Sequence, residues 1–165
     1  MFKINKDITM KLIFIISLFA LASAFFIEYV LGHQPCNLCI LERIPYLLAI
    51  IIVLLNYKFS QLEKNFILVI TLIFLISTIL SLYHLGIEQG FIEESLVCDL
   101  KNGSNLLSKE DILKQLKEKN VSCQDVTFKI FGLSLTSYNI LISLLISIIT
   151  AKIYFNYEKN RRKKS

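Results

Sequence analysis

The sequence predicts an all-α fold: an integral membrane four-helix bundle with two extracytoplasmic loops, the second containing a short amphipathic helix. Three observations predict it. Apolar residues make up 55% of the 165-residue chain and charged residues 19%, against about 45–50% and about 25% in soluble domains. The apolar excess lies in four long runs, not at helix or strand period. Lys and Arg collect at both chain ends and in the middle connection, the pattern that marks cytoplasmic segments. Disorder, a collagen-like chain and a soluble disulfide scaffold are thereby excluded. The glycines at positions 32, 86, 90, 103 and 132 form neither GxGxxG nor a P-loop, so a soluble nucleotide enzyme does not fit either.

A helix needs about 20 mostly apolar residues to cross a bilayer. The first run, Leu12–Leu31, carries one charge, Glu28, near its end. A lysine-rich start followed by Ala22-Ser23-Ala24 resembles a cleavable signal, but the apolar run continues through Phe25-Phe26-Ile27 to Leu31, so it reads as a retained span. In the second run the uncharged part, Ile44–Tyr57, is 14 residues, or roughly 21 Å of helix. To span, it must recruit Arg43 and Glu42 back towards Cys39, which puts Cys39 and Arg43 at the membrane boundary. Pro45 leaves two geometries open. Either the helix starts upstream and the proline kinks it, or it starts at Arg43 with Cys39 on the entry loop. The third and fourth runs, Phe66–Leu85 and Ile130–Ala151, carry no charge. Residues 1–165 are thus one four-span domain, with spans near 12–31, 39–57, 66–85 and 130–151 and outer loops near 32–38 and 86–129.

Orientation follows from charge. Lys3, Lys6 and Lys11 precede span one, Lys58 and Lys64 follow span two, and Lys152, Lys159, Arg161, Arg162, Lys163 and Lys164 close the chain. The first outer loop has no lysine, and the six lysines between Gly86 and Ser137 are offset by eight acids. Both termini are expected in the cytoplasm. The net charge of +5 comes mostly from the tail, which reads as a topology anchor on anionic lipid, not a nucleic-acid site. In the second outer loop, Ser108-Lys109-Glu110-Asp111 resembles a capping pattern, after which Ile112, Leu113 and Leu116 share a face. This is the expected amphipathic helix, lying on the membrane surface or solvated in the loop.

All four cysteines fall in the outer loops, in two unlike pairs. Cys36 and Cys39 form a CxxC, the spacing of thiol–disulfide redox motifs; Cys98 and Cys123 are 25 apart. Structural staples are one reading. A zinc site is another, but its usual pattern is two CxxC pairs. Local chemistry favours a redox relay. A CxxC bridge closes a small, reducible ring. Pro35 as the first helical residue would place both thiols in the positive first turn of a helix, where thiolate is favoured. Arg43, four residues after Cys39, would share its helix face and stabilise a thiolate, unless it pairs with Glu42 or snorkels to headgroups. His84 and Glu88 lie near the outer end of span three, as interfacial residues or as the lining and proton supply of a binding pocket. Glu28 is placed to share that role.

The run Pro35-Cys36-Asn37-Leu38-Cys39-Ile40-Leu41-Glu42-Arg43 resembles the P-C-x-L-C-x-x-E/Q-R signature of the disulfide bond formation protein B (DsbB) family. The four-span layout and the second cysteine pair extend that resemblance over nearly the whole chain. Tyr83-His84-x-Gly86-x-Glu88, and Cys123-Gln124-Asp125 ahead of Phe131-Gly132-Leu133-Ser134, look like its shorter-loop branch. The chain departs at Phe128, where that branch often has Trp, and at Leu96-Val97, where it often has Gly-Pro. The resemblance implies a bacterial inner-membrane thiol oxidase with catalytic Cys36, Cys39, Cys98 and Cys123. A reduced thioredoxin-like partner of the DsbA type attacks the Cys98–Cys123 disulfide, at Cys98. Cys123 then exchanges with Cys36, and Cys39 passes electrons to a membrane quinone, ubiquinone or menaquinone, with Arg43 and His84 as cofactor-binding residues and no metal. The oxidant system of the bacterial periplasm is of this kind. No flavin, haem or metal motif competes as electron sink. A quinone reductase of the vitamin K epoxide reductase type has the opposite order of cysteine pairs, with CxxC in its last span. A non-enzymatic membrane protein with stapled outer loops is the remaining alternative.

Overall fold

The computed structural model describes residues 6–93, 98, 122–124, 129–130 and 132–162. Helix α1 (Lys6–Tyr29) is followed by a single-turn helix α2 (Asn37–Leu41), then α3 (Ile44–Lys58) and α4 (Glu63–Glu88). A two-stranded hairpin, β1 (Lys129–Ile130) and β2 (Leu133–Ser134), leads into α5 (Leu135–Arg162). Among the described residues four helical segments are long and apolar enough to cross a membrane: Lys6–Tyr29, Asn37–Lys58, Glu63–Glu88 and Leu135–Tyr157. The chain is an all-α four-helix membrane bundle.

Boundaries have local causes. α1 ends where Gly32 takes φ 74°, so that the His33 N–H reaches back to Ile27 C=O at 3.2 Å, a left-handed helix stop that suits glycine. The second span resolves the alternatives that Pro45 left open. Helix begins at Asn37, before Cys39, and breaks at Glu42–Arg43. Pro45 has no N–H to give the Leu41 carbonyl and crowds it. The break is shallow, since Glu42 and Arg43 keep right-handed dihedrals and α3 resumes with the proline in its first turn. Pro35 is not the first helical residue, because Cys36 is extended (φ −70°, ψ 167°) and occupies the cap position itself. The fourth helix begins at Leu135, later than the apolar run at Ile130 suggested. The chain first doubles back, pairing Lys129 with Ser134 around Gly132 at φ 82°. The amphipathic helix expected after Ser108 lies outside the described residues.

α4 packs most extensively on α5, while α3 bridges α1 and α4. Small side chains permit the close approach. Ser77 and Ser81 on α4 and Ser143 and Ser147 on α5 are all buried, and Ser77 Oγ lies 3.3 Å from Ser143 Oγ. In lipid there is no hydrophobic drive between helices, so such packing and interhelical hydrogen bonds hold the bundle. The apolar core joins Met10 and Ile13 to Ala49, Val53, Ile67, Ile70, Phe74, Ile146 and Ile153. Leu12, Phe19, Leu54, Ile76 and Leu145 point outward and are exposed, a surface suited to acyl chains. A second cluster sits at the loop end: Cys36, Leu38, Ile87 and Cys123, with Cys39, Leu80, Tyr83 and Cys98 packed against it.

Candidate active site

The loop-end cluster brings both cysteine pairs together. Cys98 and Cys123 form a disulfide with Cα atoms 6.0 Å apart, whereas Cys36 and Cys39 are free thiols. One turn of helix sets the CxxC geometry. As cap residue, Cys36 accepts the Cys39 N–H at its own Sγ, 3.3 Å away, and the two Sγ atoms face each other at 2.7 Å. Asn37, between them, donates from Nδ2 to the Cys98 carbonyl at 3.0 Å, tying the first loop to the disulfide of the second. The hydrogen bond from Cys39 is the largest influence on the Cys36 thiol, and His84 adds to it against the opposing effect of burial. Together they lower its pKa from 9.0 to about 5. In the reduced pair Cys36 is therefore the thiolate.

α4 delivers His84 to this sulfur. Its ring is 1% exposed, with Nε2 3.5 Å from Cys36 Sγ and Nδ1 2.9 Å from Glu42 Oε1. The carboxylate receives the Nδ1 hydrogen, which leaves Nε2 to trade a proton with the thiol. Glu42 is itself buried and held on its other oxygen by Asn139 Nδ2 at 3.1 Å. Asn139 also donates to Ser81 Oγ at 2.7 Å and accepts from the Tyr46 hydroxyl. A buried carboxylate with each oxygen bonded is the arrangement that low-dielectric surroundings demand. Thr136 Oγ1 lies 3.2 Å from His84 Nδ1 and donates to Glu88 Oε1 at 2.5 Å.

Arg43 faces away from this network. Its Nη1 pairs with Glu28 Oε2 at 2.5 Å, and its guanidinium lies over the Phe25 ring, 5.3 Å from the centroid. Glu28, which could have shared a pocket role or snorkelled to the interface, is the arginine's counter-ion across to α1. Cys36 Sγ, Cys39 Sγ and His84 Nε2 lie within 4.8 Å of one another. Two sulfurs around zinc would sit roughly 3.7 Å apart for Zn–S bonds of about 2.3 Å, so the 2.7 Å approach suits direct sulfur–sulfur chemistry better than an ion.

The structure brings Cys36, Cys39, Cys98, Cys123 and His84 into one place and sets Arg43 beside them on the α1 face. It adds Glu42, Thr136 and Asn139, which sequence reading had not singled out for the site. One signal was available: Asn139 is a polar interruption in an otherwise uncharged apolar run, and such residues in membrane helices seek partners.

Comparison with known proteins places this geometry in a family. The model of the family described as disulfide bond formation protein DsbB matches residues 6–153. The chain is also 34% identical over 151 residues to the uncharacterized protein RP370 of Rickettsia prowazekii (strain Madrid E), covering 88% of this chain and 86% of that protein. The chain belongs to the DsbB family, membrane proteins of disulfide bond formation, and is a multi-pass membrane thiol–disulfide oxidoreductase.

Proposed function

We infer that this protein reoxidises a soluble, thioredoxin-like disulfide oxidase of the DsbA type and passes the electrons to a membrane quinone. The observation that carries this reading is the single cluster that joins buried Cys36 and Cys123 to half-buried Cys39 and Cys98. It joins a formed disulfide to a free CxxC whose leading thiol is activated. The lysine distribution supports a bacterial inner-membrane location with both termini cytoplasmic and both cysteine loops periplasmic.

Exchange proceeds through sulfur. The partner's thiolate attacks Cys98, one S–S bond forms as another breaks, and Cys123 leaves as thiolate. Cys123 then attacks Cys36 of the oxidised CxxC and releases Cys39. The residues around Cys39 fit a lipid-borne ring. Cys39 is half-buried, while Ile40, Leu41 and Ile44 beside it are exposed to the acyl phase. Arg43, anchored by Glu28, contributes positive charge at the same level. A quinone bound there supplies an acceptor for two electrons and two protons. Arg43 stabilises negative charge near Cys39, and His84 with Glu42 manages the proton on Cys36.

Free-thiol counting tests the reading. The purified protein, mixed with a reduced thioredoxin-like oxidase, should oxidise it catalytically when a quinone is added and stoichiometrically when none is. A protein whose thiols never exchange would refute it. Arg43→Ala should weaken quinone use while leaving exchange with the soluble partner largely intact; equal loss of both would make the arginine structural.

A further inference from the structure

Two carboxylates serve the same imidazole, and their surroundings differ. Glu42 bonds His84 Nδ1 directly, but its other oxygen is tied to Asn139, which is itself bonded to Ser81 and Tyr46 inside the bundle. That branch ends among buried groups. Glu88 reaches the imidazole from the other side. Its Oε1 accepts from Thr136 at 2.5 Å and lies 3.8 Å from His84 Nε2, and Thr136 Oγ1 is 3.2 Å from Nδ1. The Glu88 side chain is 6% exposed, and its Oε2 is buried with no hydrogen-bond partner among the described residues. Buried orphan oxygens are rare and ask for a reason. Glu88 is also the last residue of α4, and the chain beyond it, Gln89 to Phe91, is exposed.

We propose that Thr136 and Glu88 form a proton conduit linking His84, and through it Cys36, to the loop end of the bundle, with Glu42 as the fixed partner that orients the imidazole. The inference rests on the thiol-oxidase reading above and assigns proton traffic to that same site. In the outward direction the Cys36 S–H bond breaks, the electron pair stays on sulfur, and the proton passes to His84 Nε2. The Nδ1 hydrogen, shared at rest between Glu42 Oε1 at 2.9 Å and Thr136 Oγ1 at 3.2 Å, moves to Thr136 Oγ1 as the hydroxyl's own proton moves to Glu88, and Glu88 releases a proton at the loop end. The inward direction reverses each step. Among the described residues the titratable groups around the path are Cys36 and Cys39 from the first loop and α2, Glu42 from the break after α2, Tyr46 from α3 through Asn139, and Glu88 on α4 itself, while α5 contributes neutral Thr136 and Asn139.

The test uses reduced, quinone-free protein carrying Cys98→Ser and Cys123→Ser, so that Cys36 and Cys39 are the only thiols left to report. Stopped-flow pH jumps follow thiolate by its ultraviolet absorbance. Glu88→Gln and Thr136→Val should each slow thiolate appearance by at least about tenfold, the low end for loss of a positioned proton-transfer group. Added formate, a small mobile acid, should restore the Glu88→Gln rate. Wild-type rates in both variants would overturn the conduit, as would a slow Glu88→Gln that formate leaves slow. Should Glu88→Gln fail to fold, Thr136 decides alone: slow with Val and normal with Ser supports the path, and normal with both overturns it. Quinone-dependent oxidation of dithiothreitol by the unsubstituted protein is measured in parallel. Its absence would count against the oxidase reading, while its presence with unchanged pH-jump rates would count against the conduit alone.

Discussion

The two ends of the bundle are built on opposite rules. Towards the end where Lys6 pairs with Glu63 and Lys64 lies over Tyr154, the interior is mainly Met10, Ile13, Val53, Ile67, Ile70 and Ile153, and the buried Thr150 hydroxyl bonds back to its own helix at Ile146. Towards the cysteine end it is Glu42, His84, Thr136, Asn139 and Ser81, all buried. Apolar packing tolerates exchange of one side chain for another of similar volume. A buried polar network does not, because removing one member strands the others. The difference separates labour within one fold: the apolar half holds four helices together, and the polar half holds a reactive thiol in a chosen protonation state.

Asn139→Ala should have the largest effect, because it acts on both properties. It strands Glu42 and the Tyr46 hydroxyl, should destabilise the protein by about 1–3 kcal/mol, and should slow dithiol oxidation as His84 loses its anchored partner. Thermal unfolding in detergent and turnover on the same sample check this. Phe74→Ala sharpens the contrast. Phe74 is fully buried and meets the Tyr46 ring edge-on at 5.6 Å, so a cavity costing about 3 kcal/mol is expected, with turnover per folded molecule unchanged. If Phe74→Ala altered the chemistry as much as Asn139→Ala, the division would fail.

The smallest effect is read from pH. Cys36 has its pKa lowered from 9.0 to about 5 in the folded protein. A depressed value means that thiolate stabilises the folded, reduced chain most fully above pH 9, and that this contribution shrinks as pH falls and vanishes below about 5. Alkylation of reduced Cys36 should therefore stay fast from neutral pH down to about 5 and fall below it, as mass spectrometry of the labelled peptide will show. An inflection near 9 would mean that neither Cys39 nor His84 acts on this thiol.

The four spans were legible because they depend on run length and composition, which are local. The CxxC spacing was legible for the same reason. The shape of the second span was half legible: Pro45 announced a break, but whether helix preceded it depended on Cys36 capping Asn37–Leu41. The partners of the reactive groups were hidden. Arg43 and Glu42 are neighbours in sequence, yet Arg43 pairs with Glu28 on α1 and Glu42 with His84 and Asn139 on α4 and α5. The groups that act on Cys36 are Cys39 beside it and His84 from α4, and only the second of these needed the fold to bring it near.

The central claim is that electrons cross between the two cysteine pairs by direct exchange from Cys123 to Cys36. A chain carrying Cys39→Ser and Cys98→Ser keeps only those two thiols, and peptide mapping after mild oxidation reads the outcome. The account predicts an intramolecular Cys36–Cys123 disulfide in most molecules. Two thiols that remain free, or that bond only between separate chains, would contradict it.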